Sequence, residues 1–136
     1  MIRNILAVIA GFIVGSIVNM TLINVGHAVV GLPPGADVST MEGVKAAMQQ
    51  FTPVHFLVPF VAHAGGTLVG ALVAALIAAT HKFRIAMIIG VLFLLGGIAA
   101  GIMVQSPMWY NAIDFVFAYI PMAWIGAKLG GAGRER

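Results

Sequence analysis

Residues 53–80 read PVHFLVPFVAHAGGTLVGALVAALIAAT, and this stretch decides the fold. It carries no Asp, Glu, Lys or Arg across 28 positions, whereas about 20 apolar residues are enough to cross the hydrocarbon core of a bilayer as a helix. Thr52-Pro53 opens it with an N-cap residue followed by proline at the first helical position, where the missing N–H costs nothing. Such a segment predicts a membrane-spanning helix over about 53–80.

Three more segments of the same kind account for the remaining apolar sequence. Spans are expected at about 2–30, 85–105 and 107–129. Gly31 and Pro33-Pro34 stop the first, Ser106-Pro107 repeats the cap-plus-proline start before the fourth, and His81, Lys82, Phe83 and Arg84 form a tight basic turn between the second and third. The chain is 61% hydrophobic and 8% charged, against about 45–50% and 25% in soluble domains. The fold expected is an all-α integral membrane protein, a four-transmembrane-helix bundle forming one domain over 1–136. An apolar run from Ile5 to Val30 is too long for the core of a cleaved signal peptide, so no cleavage is expected.

Only the first connection is long. Within it Ser39 and Glu42 stand at the S-x-x-E spacing of a capping box, and Met41, Val44, Met48 and Phe51 recur at helical spacing. A short amphipathic surface helix is therefore expected at about 40–51, covering one end of the bundle. Basic residues set the orientation. Arg3, Lys82, Arg84, Lys128, Arg134 and Arg136 fall at one end and Lys45 alone at the other, so both termini are expected in the cytoplasm of a cell with an inner membrane. Scattered in this way, the net charge of +3 gives no basic patch and excludes a nucleic-acid partner. The partners expected are the lipid bilayer, a second copy or another membrane protein, and a small-molecule or lipid ligand.

Helices in lipid associate through close backbone approach rather than hydrophobic burial. Gly11 and Gly15, Ala62, Gly66, Gly70 and Ala74, Gly97 and Gly101, and Gly126 and Gly130 supply small residues four apart on the four spans. The second span has the longest such stripe and is expected at the centre. The third, rich in Ile, Leu, Phe and Val, is expected to be the most lipid-exposed.

Polar side chains at depth point to chemistry, since a central Asp costs about 2.5–3.5 kcal/mol on insertion scales. Asp114 lies about 10 Å and His63 about 15 Å from the ends of their spans nearest the long loop, counted at 1.5 Å per residue. Asn19 and Asn24 share that half, His27 and His55 sit near its edge, and Thr67 and Tyr119 lie near mid-membrane. These eight residues are the candidate ligand-binding set, expected to form a polar pocket open toward the loop. His63 and Asp114 are expected to meet, each giving the other a partner. Pro59 and Pro121 each remove a helical hydrogen bond nearby, freeing the carbonyls of His55 and Phe117.

The chain has no cysteine, so thiolate nucleophiles and thiolate-bound metals are excluded. No H-x-x-x-H or E-x-x-H pair occurs, and neither a metal nor a cofactor is expected; haem held between His27 and His63 is the remaining alternative. The stretches His63-Ala64-Gly65-Gly66-Thr67-Leu68-Val69-Gly70-Ala71 and Ala118-Tyr119-Ile120-Pro121-Met122-Ala123-Trp124 resemble a group of small four-span bacterial membrane proteins. That resemblance implies a bacterial origin and attaches no function. The first span lacks the glutamate of small multidrug transporters. The expected function is binding of a small ligand, ion or lipid headgroup in the polar pocket, with proton-linked transport as its extension. The alternative is a structural or accessory subunit whose polar residues only join helices.

Overall fold

A computed structural model describes residues 1–133. Arg134, Glu135 and Arg136, expected to be a frayed tail and contributing two of the basic residues above, lie outside the described residues. The order of elements is α1 (Ile2–Val30), α2 (Met41–Met48), α3 (Pro53–Ile77), α4 (Lys82–Val104), α5 (Met108–Phe117) and α6 (Ile120–Leu129). Four stretches are long and apolar enough to cross a membrane: α1, α3, α4, and α5 with α6 together. No strand occurs among the described residues, and the protein is a four-span helical bundle with one short helix across an end.

As its small-residue stripe requires, α3 holds the centre, touching α1, α4, α5 and α6. Gly66 and Gly70 sit so close to Gly15 and Gly11 that a Cβ on any of the four would lie within 3 Å of backbone or Cβ atoms across the interface. On its other side, Gly126 meets the Leu68 carbonyl and Ala71 in the same way. Away from α2, the core is a cluster of alanines, Ala71, Ala74, Ala75, Ala86, Ala123 and Ala127, filled out by Ile89. The most lipid-exposed span is α1, not the expected third one. It is bound through one narrow face of Ala7, Gly11 and Gly15, and its Ile, Leu and Val side chains line the outer flank.

Several boundaries differ from those expected, each for a local reason. At the start of α2 the cap is Thr40, whose hydroxyl accepts from the Gly43 N–H at 3.0 Å. Ser39 instead donates its backbone N–H to Asp37 at 2.8 Å, and the Ser39 hydroxyl together with this N–H holds the exposed Asp37 carboxyl below the usual carboxylate range. α2 stops at Met48 and packs on α4, with Ala47 buried. Pro107, not Ser106, is the cap of α5; Ser106 bonds the Gly101 carbonyl and the Asn111 side chain.

α3 ends at Ile77, three residues short of Thr80, because residues 78–80 are tied to the start of α1. Arg3 Nε donates to the Ile77 carbonyl at 2.6 Å, while Asn4 accepts from Ala79 N–H at 2.9 Å and donates to the Thr80 hydroxyl at 3.0 Å. The guanidinium thereby meets the negative end of the α3 dipole.

The fourth span is not continuous. It breaks at Ala118 and Tyr119, and Pro121 falls in the first turn of α6, where its lost N–H needs no partner. The proline expected only to remove a helical hydrogen bond thus stands at the start of a separate half-helix.

Candidate functional site

The break brings together a polar centre. Asp114, on the last turns of α5, is 1% exposed. His63, ten residues into α3, places Nδ1 at 2.9 and 3.0 Å from the two carboxylate oxygens of Asp114. The Tyr119 hydroxyl donates to Asp114 Oδ2 at 2.8 Å, and its ring stacks on the His63 ring at 5.6 Å. In an unbroken helix a residue five positions on points about 140° away from the first. Tyr119 can reach back to Asp114 only because the helix stops between them.

Room for Tyr119 comes from α4. A Cβ at Gly97 would collide with the Tyr119 ring and hydroxyl. Gly97 was legible in the sequence only as half of a packing pair, and its role in seating the tyrosine depends on the broken helix.

A carboxylate accepts, so its contact with His63 fixes the proton on Nδ1 and leaves Nε2 as the ring nitrogen open to a ligand. Two cavities share His63 and Gly97 in their walls. One, of about 230 Å³, lies between α1 and α4 and is lined by Phe12, Ser16, Asn19, Phe93 and Tyr119 as well. The other, of about 150 Å³, lies toward α2 among Pro59, Tyr110, Asn111 and Asp114, with Met48 in its wall. Two buried polar atoms, Asn19 Oδ1 and Thr67 Oγ1, have no hydrogen-bond partner among the described residues, while the buried Tyr110 hydroxyl is turned to Asp114. Each such group costs about 1–3 kcal/mol when left unpaired.

Of the eight candidate residues, five fall at or beside this centre. His63, Asp114 and Tyr119 are bonded or stacked, Asn19 lines the larger cavity, and Thr67 is buried one turn along α3 from His63. The other three do other work. His55 belongs to the start of α3, where its Nδ1 accepts the Thr52 N–H at 3.1 Å and pairs with the Thr52 hydroxyl at 2.8 Å. Phe51 stacks on it at 5.2 Å, joined by Phe56, Trp109 and Tyr110 in an aromatic group at the α2 end. Asn24 bonds the Met20 carbonyl of its own helix at 2.9 Å. With His27 it lines a separate groove of about 320 Å³ under α2.

His27 and His63 therefore face different cavities, and His63 Nδ1 is committed to Asp114. Among the described residues no group of three or more His, Asp or Glu side chains is placed to hold a metal ion. Compared with known proteins, the chain matches no family model, no curated protein and no solved structure.

Proposed function

We propose that this chain is a multi-pass protein of a bacterial inner membrane that binds a small ligand at the His63–Asp114–Tyr119 centre, with proton exchange at His63 Nε2. The observation that carries this reading is the carboxylate buried at the break in the fourth span, holding through Nδ1 the imidazole of a histidine that lines two cavities. Broken spans whose half-helix ends face a polar centre are how transporters build sites at mid-membrane, and proton-linked transport is the natural extension. A knot that only joined helices would satisfy its own polar groups. Asn19 Oδ1 and Thr67 Oγ1 remain unpaired beside this one.

The test is to purify wild type and Asp114→Asn in nanodiscs from the same membranes and identify bound small molecules by mass spectrometry. A molecule retained by the wild type and reduced at least tenfold in the variant, at equal helical content, is the expected result. Equal retention in both, or none in either, refutes the reading.

The orientation proposed puts α2 outside and both termini in the cytoplasm, supported by Arg3, Lys82, Arg84 and Lys128 at one end against Lys45 at the other. Asp37 and Arg84 are exposed at opposite ends. A membrane-impermeant maleimide is expected to label Asp37→Cys in intact spheroplasts and Arg84→Cys only after permeabilisation. The reverse pattern overturns the topology.

A further inference from the structure

We infer that the cavity between α1 and α4 takes the head of an isoprenoid quinone or quinol, with its tail lying in the surrounding lipid. This rests on the ligand-binding reading above and names its ligand class. Four observations lead there.

The first is where the cavity opens. Phe12, Leu92, Gly96 and Ala100 line it and are themselves exposed on the flank of the bundle, and a Cβ at Gly96 meets no atom within 4 Å. The mouth therefore faces sideways into the lipid rather than along the bundle axis.

The second is charge. None of the lining residues is a Lys or Arg, so a phosphate or carboxylate head would have no counterion. Asp114 is already covered by His63 and Tyr119, so a cationic head finds no free carboxylate. An uncharged head remains.

Shape and size are the third. Phe12 and Phe93 meet edge to face at 5.5 Å in one wall, and the Tyr119 ring forms another. At about 230 Å³ the space is below the range of about 300–1,000 Å³ that encloses a whole drug-sized ligand. One substituted ring fits, and the rest of the molecule stays outside.

Hydrogen bonding is the fourth. His63 on α3, whose Nδ1 is taken by Asp114, and Ser16 and Asn19 on α1 line the cavity as two polar stations from two helices, and Asn19 Oδ1 is buried without a partner among the described residues. A sterol-like lipid carries one oxygen and would serve one station. A quinone or quinol ring carries an oxygen at each end: the two hydroxyls of a quinol donate to His63 Nε2 and to Asn19 Oδ1, whereas the carbonyls of a quinone only accept, from the Ser16 hydroxyl or the Asn19 NH₂.

The experiment uses the full chain in quinone-free nanodiscs, titrated with a short-tailed benzoquinone and with its quinol, and follows binding by equilibrium dialysis against empty nanodiscs. Wild type is expected to bind one molecule per site. Gly96→Leu, at the mouth where a Cβ meets no atom within 4 Å, and Asn19→Leu are each expected to weaken binding at least tenfold while keeping the melting temperature of the bundle close to wild type. Binding unchanged by both substitutions overturns the inference, because the quinone then sits elsewhere. If wild type binds no more than empty nanodiscs, the quinone class falls. In that event a co-purified molecule lost in Asp114→Asn leaves the ligand-binding reading standing, and the lack of one removes both.

Discussion

Replacing Asp114 with leucine is expected to destabilise the bundle by about 2–3 kcal/mol, measured by denaturant titration in detergent and by the midpoint of the thermal melt. Two donors, the part-buried His63 Nδ1–H and the buried Tyr119 hydroxyl, lose their acceptor together, and an unpaired buried group costs about 1–3 kcal/mol. A typical interhelical hydrogen bond in a membrane protein contributes only about 0.6 kcal/mol, because the separated helices find other partners. The larger figure applies here because Asp114 is buried and one substitution removes the acceptor of two donors at once. A loss below about 1 kcal/mol would show that the carboxylate is not the common acceptor.

Asp114→Asn separates this structural cost from the site's chemistry. The amide is close in size and can still accept one hydrogen bond, so the fold is expected to survive with a loss of about 1 kcal/mol. Its NH₂ group, though, donates to whatever faces it. The carboxylate forces the His63 proton onto Nδ1; the amide removes that constraint and lets the ring take either tautomer. Nitrogen chemical shifts of His63 are expected to report a protonated Nδ1 in the wild type and a mixed population in the variant. An unchanged spectrum would mean that Asp114 does not set the tautomer.

The pairing of His63 with Asp114 was legible in the sequence because membrane depth is a one-dimensional quantity. Helix ends and a fixed rise put both side chains in the same half of the bilayer, and the cost of a lone carboxylate in lipid did the rest. Tyr119 was expected to need a partner for its hydroxyl and found Asp114. Its position could not be read, because the break that carries it has no capping residue: Tyr119-Ile120-Pro121 lacks the Ser, Thr, Asp or Asn that marks the starts at Thr52-Pro53 and Ser106-Pro107. Pro121 alone reads equally as a kink or a start.

Lateral position was less legible than depth. His27 and His55 share a membrane level and were grouped with the site on that ground; His55 is turned to the Thr52 cap and His27 to the groove under α2. Which azimuth a residue occupies depends on how helices pack, and a span that is apolar all round has no polar face opposite an apolar one to mark which side turns inward. Arg3 and Asn4 were missed for a related reason. The charge of Arg3 at a helix end read as a topology signal and Asn4 drew no reading, while their bonds to residues 77–80 exist only once α1 lies against α3.

Gly15→Val is expected to disrupt the α1–α3 interface strongly, costing about 3 kcal/mol or more. A Cβ there lands within 3 Å of the Gly66 carbonyl oxygen and the Phe93 ring and close to Gly70 Cα. Overpacking in a core typically costs about 1–3 kcal/mol when side chains can shift. Here the obstacle is largely backbone, which moves only if the whole of α1 backs away. Lipid would fill the gap at no hydrophobic penalty, so little opposes that retreat. Gly96→Ala on α4 is the matched control, since its Cβ meets open space, and it is expected to leave stability unchanged. The consequence reaches the site, because Ser16 and Asn19 ride on the turn next to Gly15 and form the α1 wall of the cavity at His63. Retreat of α1 moves both from His63 together, so Gly15→Val is expected to lose ligand retention along with stability, whereas Gly126→Val, on the α6 side, is expected to lower stability with a smaller effect on the α1 wall. Melting curves and retained ligand measured on the same nanodisc preparations of the three variants check this. Equal stability of Gly15→Val and Gly96→Ala would contradict the close approach of α1 and α3.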